Sequence, residues 1–380
     1  MRPPRLLRNH WCASSFRQQN ERLTPACSPD VHLELEGALR SFMGTEDGMI
    51  YSYDVATPAS TIPAFAKRGD VLVMDEGVNY AIQNGASLSR SDVLFFKHND
   101  VADLRRVLVE YKESVPRGAP LNRRFICVEG VYANYGDTAP LRELSSLASE
   151  FCYRLLVDES VALGALPGGA RGRGAAEAAG LSPTQVDITT GSLGNTLGGV
   201  GGFCVGSKQV IAHQRLNAAG YVFSASLPPY LAAGALASLR LLTSEGDAGG
   251  GGGGGGGKRR AALAALARRM RRGVAALPGL ARVAGDDDCP LLHVRPASFD
   301  TIDSPPGSSL RDSADALLER VCGRALDRAG VLFCVSKYSV LERRAPPPSI
   351  RIAVSAAHTP ADVDAGVEAL CAALKAEGVV

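Results

Sequence analysis

Between Met49 and Val205 short apolar runs alternate with segments of helical periodicity, and that alternation limits the chain to one class of fold. The runs Met49–Tyr53, Val71–Met74, Val93–Phe96, Arg124–Glu129 and Arg154–Val157 are four to six residues long. They are too short for helices and read as strands buried in a sheet. Helical spacing appears between and around them, in His32, Leu33, Leu35, Leu39 and Phe42 and again over Leu141–Phe151. Strands linked through helices pair in parallel, with the helices covering both faces. The expected fold class is therefore α/β, with a mostly parallel sheet forming a large domain over residues 30–245.

Past that domain the grammar changes. Residues 246–257 include nine consecutive glycines from Gly249, a flexible coil that reads as a linker. Residues 258–380 then read as a small α+β domain. Its expected elements are a helix at Lys258–Ala276, strands at Leu291–Val294, Val331–Val335 and Ile350–Ser355, and helices at Asp312–Ala329 and Pro360–Ala376, the last capped by Thr359. The first helix is arginine-rich, but Ala262, Leu263, Leu266 and Met270 form an apolar stripe, which favours a core helix over a lipid-surface one. Residues 1–29, with Pro3-Pro4 and five arginines in the first 22 positions, read as a disordered or targeting-like N-terminus.

Composition excludes several classes of function. Forty-one basic residues against 39 acidic ones give a net charge of +2, which is no footprint for nucleic acid. The nine cysteines are scattered without a CxxC pair, as expected of reduced thiols. Neither they nor the six histidines have metal-ligand spacing, so no metal is expected. No run of about 20 apolar residues is present, so no transmembrane helix is expected. The nearest, Tyr221–Leu242, is interrupted by Ser224, Ser226 and Pro228-Pro229.

Chemistry concentrates in Asp187–Gly206, DITTGSLGNTLGGVGGFCVG, a strand, a small-residue loop and a second strand with a Gly201-Gly202 step. With DEGVNYAIQNG (75–85), FKHND (96–100), GYVFSASLPP (220–229) and PPPSIR (346–351), it resembles the α-oxoamine synthases. These are pyridoxal-phosphate (PLP) transferases that condense an amino acid with an acyl-CoA. Within them the chain is most similar to the non-catalytic subunits of serine palmitoyltransferases. The resemblance covers residues 30–380 and implies fold type I, the aspartate-aminotransferase-like architecture.

It also implies roles for particular residues. The family lysine that holds PLP stands six residues before the Gly-Gly pair; here that position is Asn195. A carboxamide nitrogen is not a nucleophile and forms no imine. The histidine that stacks on the cofactor ring is replaced by Asn79 and the histidine of the DEAH motif by Val161, whereas Asp158, the partner of the pyridine nitrogen, is kept. Asp54 falls in the turn near the cofactor phosphate, where it reads as an N-cap for a helix starting near Pro58. His98 reads as structural. Ser224 and Ser226 sit in the turn that reaches the phosphate of the neighbouring subunit, and Arg351 matches the arginine that binds the amino-acid carboxylate.

The implied function is support, as an inactive partner, for the condensation of L-serine with palmitoyl-CoA to 3-ketosphinganine. PLP and the lysine would then lie mainly on the catalytic subunit 2, with the complex on the cytosolic face of the endoplasmic reticulum membrane. The alternative is a self-sufficient PLP enzyme similar to 5-aminolevulinate synthase.

Overall fold

The computed structural model describes residues 30–244, 255–277, 280–296, 299, 307–339, 342 and 345–379. The N-terminal reading of residues 1–29 and the linker reading of 246–254 lie outside the described residues.

The strands of the large domain are β1 (Asp47–Tyr51), β2 (Val71–Asp75), β3 (Asp92–Phe96), β4 (Arg124–Glu129), β5 (Arg154–Asp158), β6 (Ile188–Ser192) and β7 (Gly202–Gly206). They form one sheet in the order β1-β7-β6-β5-β4-β2-β3. From β6 to β3 every pairing is parallel. Strand β7 is antiparallel to both of its neighbours, because the loop from Leu193 to Gly201 returns the chain directly instead of through a helical crossover. Valines and leucines of β2, β4 and β5 are almost fully buried, as strands covered on both faces require.

Several expectations need correction, among them the strand expected at Ile350–Ser355, which ends at Ala353, and the helix expected from Asp312, which starts at Ser309. Strand β1 begins at Asp47 and ends at Tyr51; just beyond it the Ser52 hydroxyl donates to the Ala225 carbonyl. The next helix starts at Ala56, and its N-cap is Val55 rather than Asp54. Pro58 falls inside the first turn, where its missing N–H would have been unpaired in any case. The basic helix spans Gly255–Ala275, so three residues read as linker are its first turn. The strand expected at Val331–Val335 shrinks to Cys334–Val335.

The small domain holds a four-stranded antiparallel sheet in the order β10-β11-β9-β8, built from β8 (Leu280–Ala284), β9 (Leu291–Pro296), β10 (Cys334–Val335) and β11 (Ile350–Ala353). Met270 and Val274 of the basic helix join Leu292, Leu318, Ile350 and Leu370 in its core. The arginines of that helix are used within the chain. Arg269 pairs with Asp364 through two bonds of 2.6 Å, Arg260 donates to the carbonyls of Ala170 and Arg171, and Arg271 donates to those of Val283 and Ala284. This helix is part of the core.

The two domains meet at the end of β2. His98 lies between two carboxylates, with Nδ1 2.8 Å from Asp75 and Nε2 2.9 Å from Asp137. Its ring stacks on Tyr135 at 4.0 Å, and Arg295 of β9 covers the Tyr135 ring at 5.5 Å. Gly136, at φ +78°, then lets the backbone approach the Leu291 carbonyl.

Candidate functional site

Ligands of open α/β sheets gather at the carboxyl ends of the parallel strands. At that edge β4 and β5 end on Glu129 and Asp158, paired in register, with Thr190 of β6 beside Asp158. Asp158 is buried; it accepts from the Thr190 hydroxyl at 2.7 Å and from the Ser160 N–H at 3.0 Å. Burial raises its carboxyl above the ordinary range, and those bonds offset only part of the rise.

Glu129 was not singled out in the sequence, yet it belongs to the same cluster. It accepts the backbone N–H groups of Asn79 at 2.7 Å and Ala133 at 3.1 Å. Burial, and then the charge of Asp158, push it up to about 8. Next in the chain, Glu159 is buried under the helix Ala175–Ala178, takes the N–H groups of Ala175 and Ala176 at 2.9 Å each, and is pushed by burial to about 7. The signal for Glu129 is pairing with a strand about 30 residues on, and for Glu159 contact with a helix 16 residues on; a linear reading displays neither.

Three residues that the resemblance sets near the cofactor, Asn195, Asn79 and Asp54, are engaged in holding the chain's own structure. The Asn195 amide donates to the Ser160 carbonyl at 2.6 Å and pins the loop after β6 to the end of β5. Asn79 caps the helix Tyr80–Ser89, its side-chain oxygen accepting from Ala81 and Ile82. Asp54 places a carboxylate at the start of the helix Ala56–Phe65, bonded to the Val55 N–H at 2.7 Å and within 3.4 Å of the Ser192 hydroxyl. A helix N-terminus favours phosphate, and a fixed carboxylate there opposes it. Arg351 on β11 is exposed, and no carboxylate pairs with it among the described residues. The structure thus brings Asp158, Asn79 and Asn195 to one edge of the sheet.

Lys208, Lys97 and Lys337 do not stand where Asn195 does. Strand β7 runs against β6, so Gly206 lies beside Ile188 and Lys208 follows at the opposite edge of the sheet. Lys97 follows the outermost strand, β3, three strand spacings from β5 or roughly 14 Å. Lys337 is paired with Glu319 at 2.7 Å. The residues present do not fit a PLP held covalently at position 195: Asn195 has no amine, and Asn79 and Asp54, which the resemblance sets near the ring and the phosphate, offer a helix cap and a carboxylate.

The turn at 223–229 is built differently. Its backbone is fixed to the chain, because His32 Nε2 donates to the Leu227 carbonyl at 2.6 Å and Leu227 is buried. The flanking side chains face outward: Phe223, Tyr230 and Tyr53 are 76%, 73% and 64% exposed. Ser226 is exposed and Ser224 half-buried in the same surface.

The aminotransferase class I and II family matches residues 10–370. Long chain base biosynthesis protein 1c of Oryza sativa subsp. japonica is 38% identical over 334 residues, 88% of this chain and 64% of that protein. Serine palmitoyltransferase 1 of Dictyostelium discoideum is 38% identical over 326 residues, covering 86% and 64%. The chain thus spans just under two thirds of the length of these curated relatives. Among solved structures, the Sphingomonas wittichii serine palmitoyltransferase aligns over 97% of this chain and 84% of its own, at 25% identity and a TM-score of 0.76. A serine palmitoyltransferase variant from S. paucimobilis with a bound PLP-myriocin aldimine gives 26% identity, a TM-score of 0.77 and coverage of 97% and 85%.

Proposed function

Because the chain belongs to the aminotransferase class I and II family and carries an amide where that fold needs an amine, we propose that it is the non-catalytic subunit of a serine palmitoyltransferase. The observation that carries this reading is the Asn195–Ser160 bond, which commits the cofactor-lysine position to structure. The partner is a lysine-bearing subunit that holds PLP and joins L-serine to palmitoyl-CoA with loss of CO2, giving 3-ketosphinganine. The names of the curated relatives support this assignment of substrate and pathway.

The contribution of this chain is the turn 223–229. A rigid backbone under exposed Phe223 and Tyr230 suits a face that docks against another subunit. Ser224 and Ser226 then offer hydroxyls to the phosphate in the partner's site. We propose the cytosolic face of the endoplasmic reticulum membrane as the location of the complex. No described helix is long and apolar enough to cross a membrane.

Co-expression with the lysine-bearing partner tests the reading: condensation of L-serine with palmitoyl-CoA should require both chains. In that complex, replacing Ser224 and Ser226 together with alanine should weaken PLP retention at least about tenfold, the effect of losing even one hydrogen bond to a charged group. Unchanged retention in a complex that still assembles would remove the turn from the cofactor site.

A further inference from the structure

At the edge of the sheet opposite Asp158 and Asn195 lies a cleft of about 960 Å³, large enough for a small-molecule ligand. Arg154, which lines it, begins the strand that Asp158 ends, so the two lie roughly 13 Å apart. The cleft shares no residue with the cofactor positions described above.

Its lining joins cationic forks to a flat aromatic wall. Phe65 and His213 stack on each other at 4.8 Å, with their planes 30° apart. Arg123, Arg124 and Arg154 supply guanidinium groups. They are not equivalent. Arg154 is paired with Asp187 at 2.6 Å, and Arg123 donates to the Phe65 carbonyl at 2.6 Å, offsetting the negative end of that helix. Arg124 is stacked over Tyr111 at 5.5 Å and bonds only through Nε, to Asn122. The guanidinium also lies over the Tyr153 ring at 6.0 Å, and among the described residues no hydrogen bond is made by its two terminal nitrogens. Glu46 and Asp187 also border the cleft and would repel an anion, which directs a negative group toward Arg123 and Arg124. Asn122, Thr184 and Gln209 interrupt the apolar lining, which suits a ring bearing polar groups better than an acyl chain.

We propose that this cleft binds a small ligand joining a flat ring to phosphate, of the nucleotide class, with the phosphate on the Arg123–Arg124 pair and the ring against Phe65 and His213. Guanidinium forks match phosphate oxygens in geometry and charge, and an arginine already oriented by stacking loses little freedom on binding.

Cys152 supplies the readout, because it lines the cleft as an exposed free thiol. Its alkylation by N-ethylmaleimide, followed by mass spectrometry on the full chain, should slow at least about tenfold in saturating ADP, as expected when charged hydrogen bonds hold the ligand over it. Adenosine and inorganic pyrophosphate should protect less than ADP. Arg124→Gln should weaken ADP protection about tenfold. Gln209→Trp, a change at an exposed position on the rim, should abolish it while the unliganded unfolding midpoint stays at the wild-type value. The proposal is overturned if ADP leaves Cys152 alkylation unchanged, or if both variants are protected as well as wild type. It is equally overturned if pyrophosphate alone protects as well as ADP, or if palmitate protects where ADP does not.

Discussion

Replacing His98 with alanine is expected to destabilise the chain by about 3–5 kcal/mol, because it leaves a buried carboxylate without its counter-charge. Asp75 is fully buried and keeps only the N–H groups of Gly77 and Asn99 once the ring is gone. Burial by itself lowers the imidazolium, but the hydrogen bonds and charges of Asp137 and Asp75 more than reverse that and hold it at about 9. The folded chain therefore binds a proton on His98 that the unfolded chain releases near pH 6.5. The stabilisation is complete below about pH 6.5 and is lost as pH rises through about 9, by an amount on the order of 3 kcal/mol. Urea unfolding of wild type and His98→Ala across that range measures it. The gap between them should be widest at low pH and should narrow toward pH 9 and above; a constant gap would mean that the ring acts by packing alone.

The second large effect is expected at Gly201. This residue has φ +104°, and a Cβ there would stand 2.4 Å from the Tyr51 carbonyl oxygen, a backbone atom that cannot turn aside. Gly201→Ala should destabilise by about 3 kcal/mol, the combined effect of a disfavoured backbone and an overpacked contact. Gly198, in the same loop at φ +62°, has nothing within 4 Å. Gly198→Ala should cost only about 1 kcal/mol, the left-handed penalty alone. Equal losses at the two positions, read from urea midpoints, would show that loop conformation rather than the Tyr51 contact sets the requirement for glycine. The contact matters because the Gly201 carbonyl also accepts from the Leu193 N–H at 2.8 Å, closing the loop that carries Asn195.

The sequence made the parallel sheet legible because buried strands of valine and leucine separated by helices leave little else to build. Asp158, Asn79 and Asn195 could likewise be singled out by motif, and the structure brings them to one edge of the sheet. Residues defined by pairing between distant segments were harder to see. Glu129 reads as the last residue of a strand until its burial and its register beside Asp158 show why its carboxyl is pushed up to about 8. Strand β8 was missed because Leu280–Ala284 alternates weakly and follows Pro278-Gly279. Asp54 was misjudged as a cap because proline was expected at the very start of a helix, whereas any position in the first turn tolerates it. The arginines of the basic helix needed acceptors elsewhere in the chain, and only the packed small domain supplies Asp364 and the carbonyls of Val283 and Ala284.

Borohydride reduction in the presence of PLP, followed by peptide mapping of the complex and of this chain alone, is the most direct test of the central claim. The phosphopyridoxyl group should be found on a lysine of the partner subunit and on no lysine of this chain. A modified lysine in this chain, above all together with condensation activity when it is purified without a partner, would contradict the account.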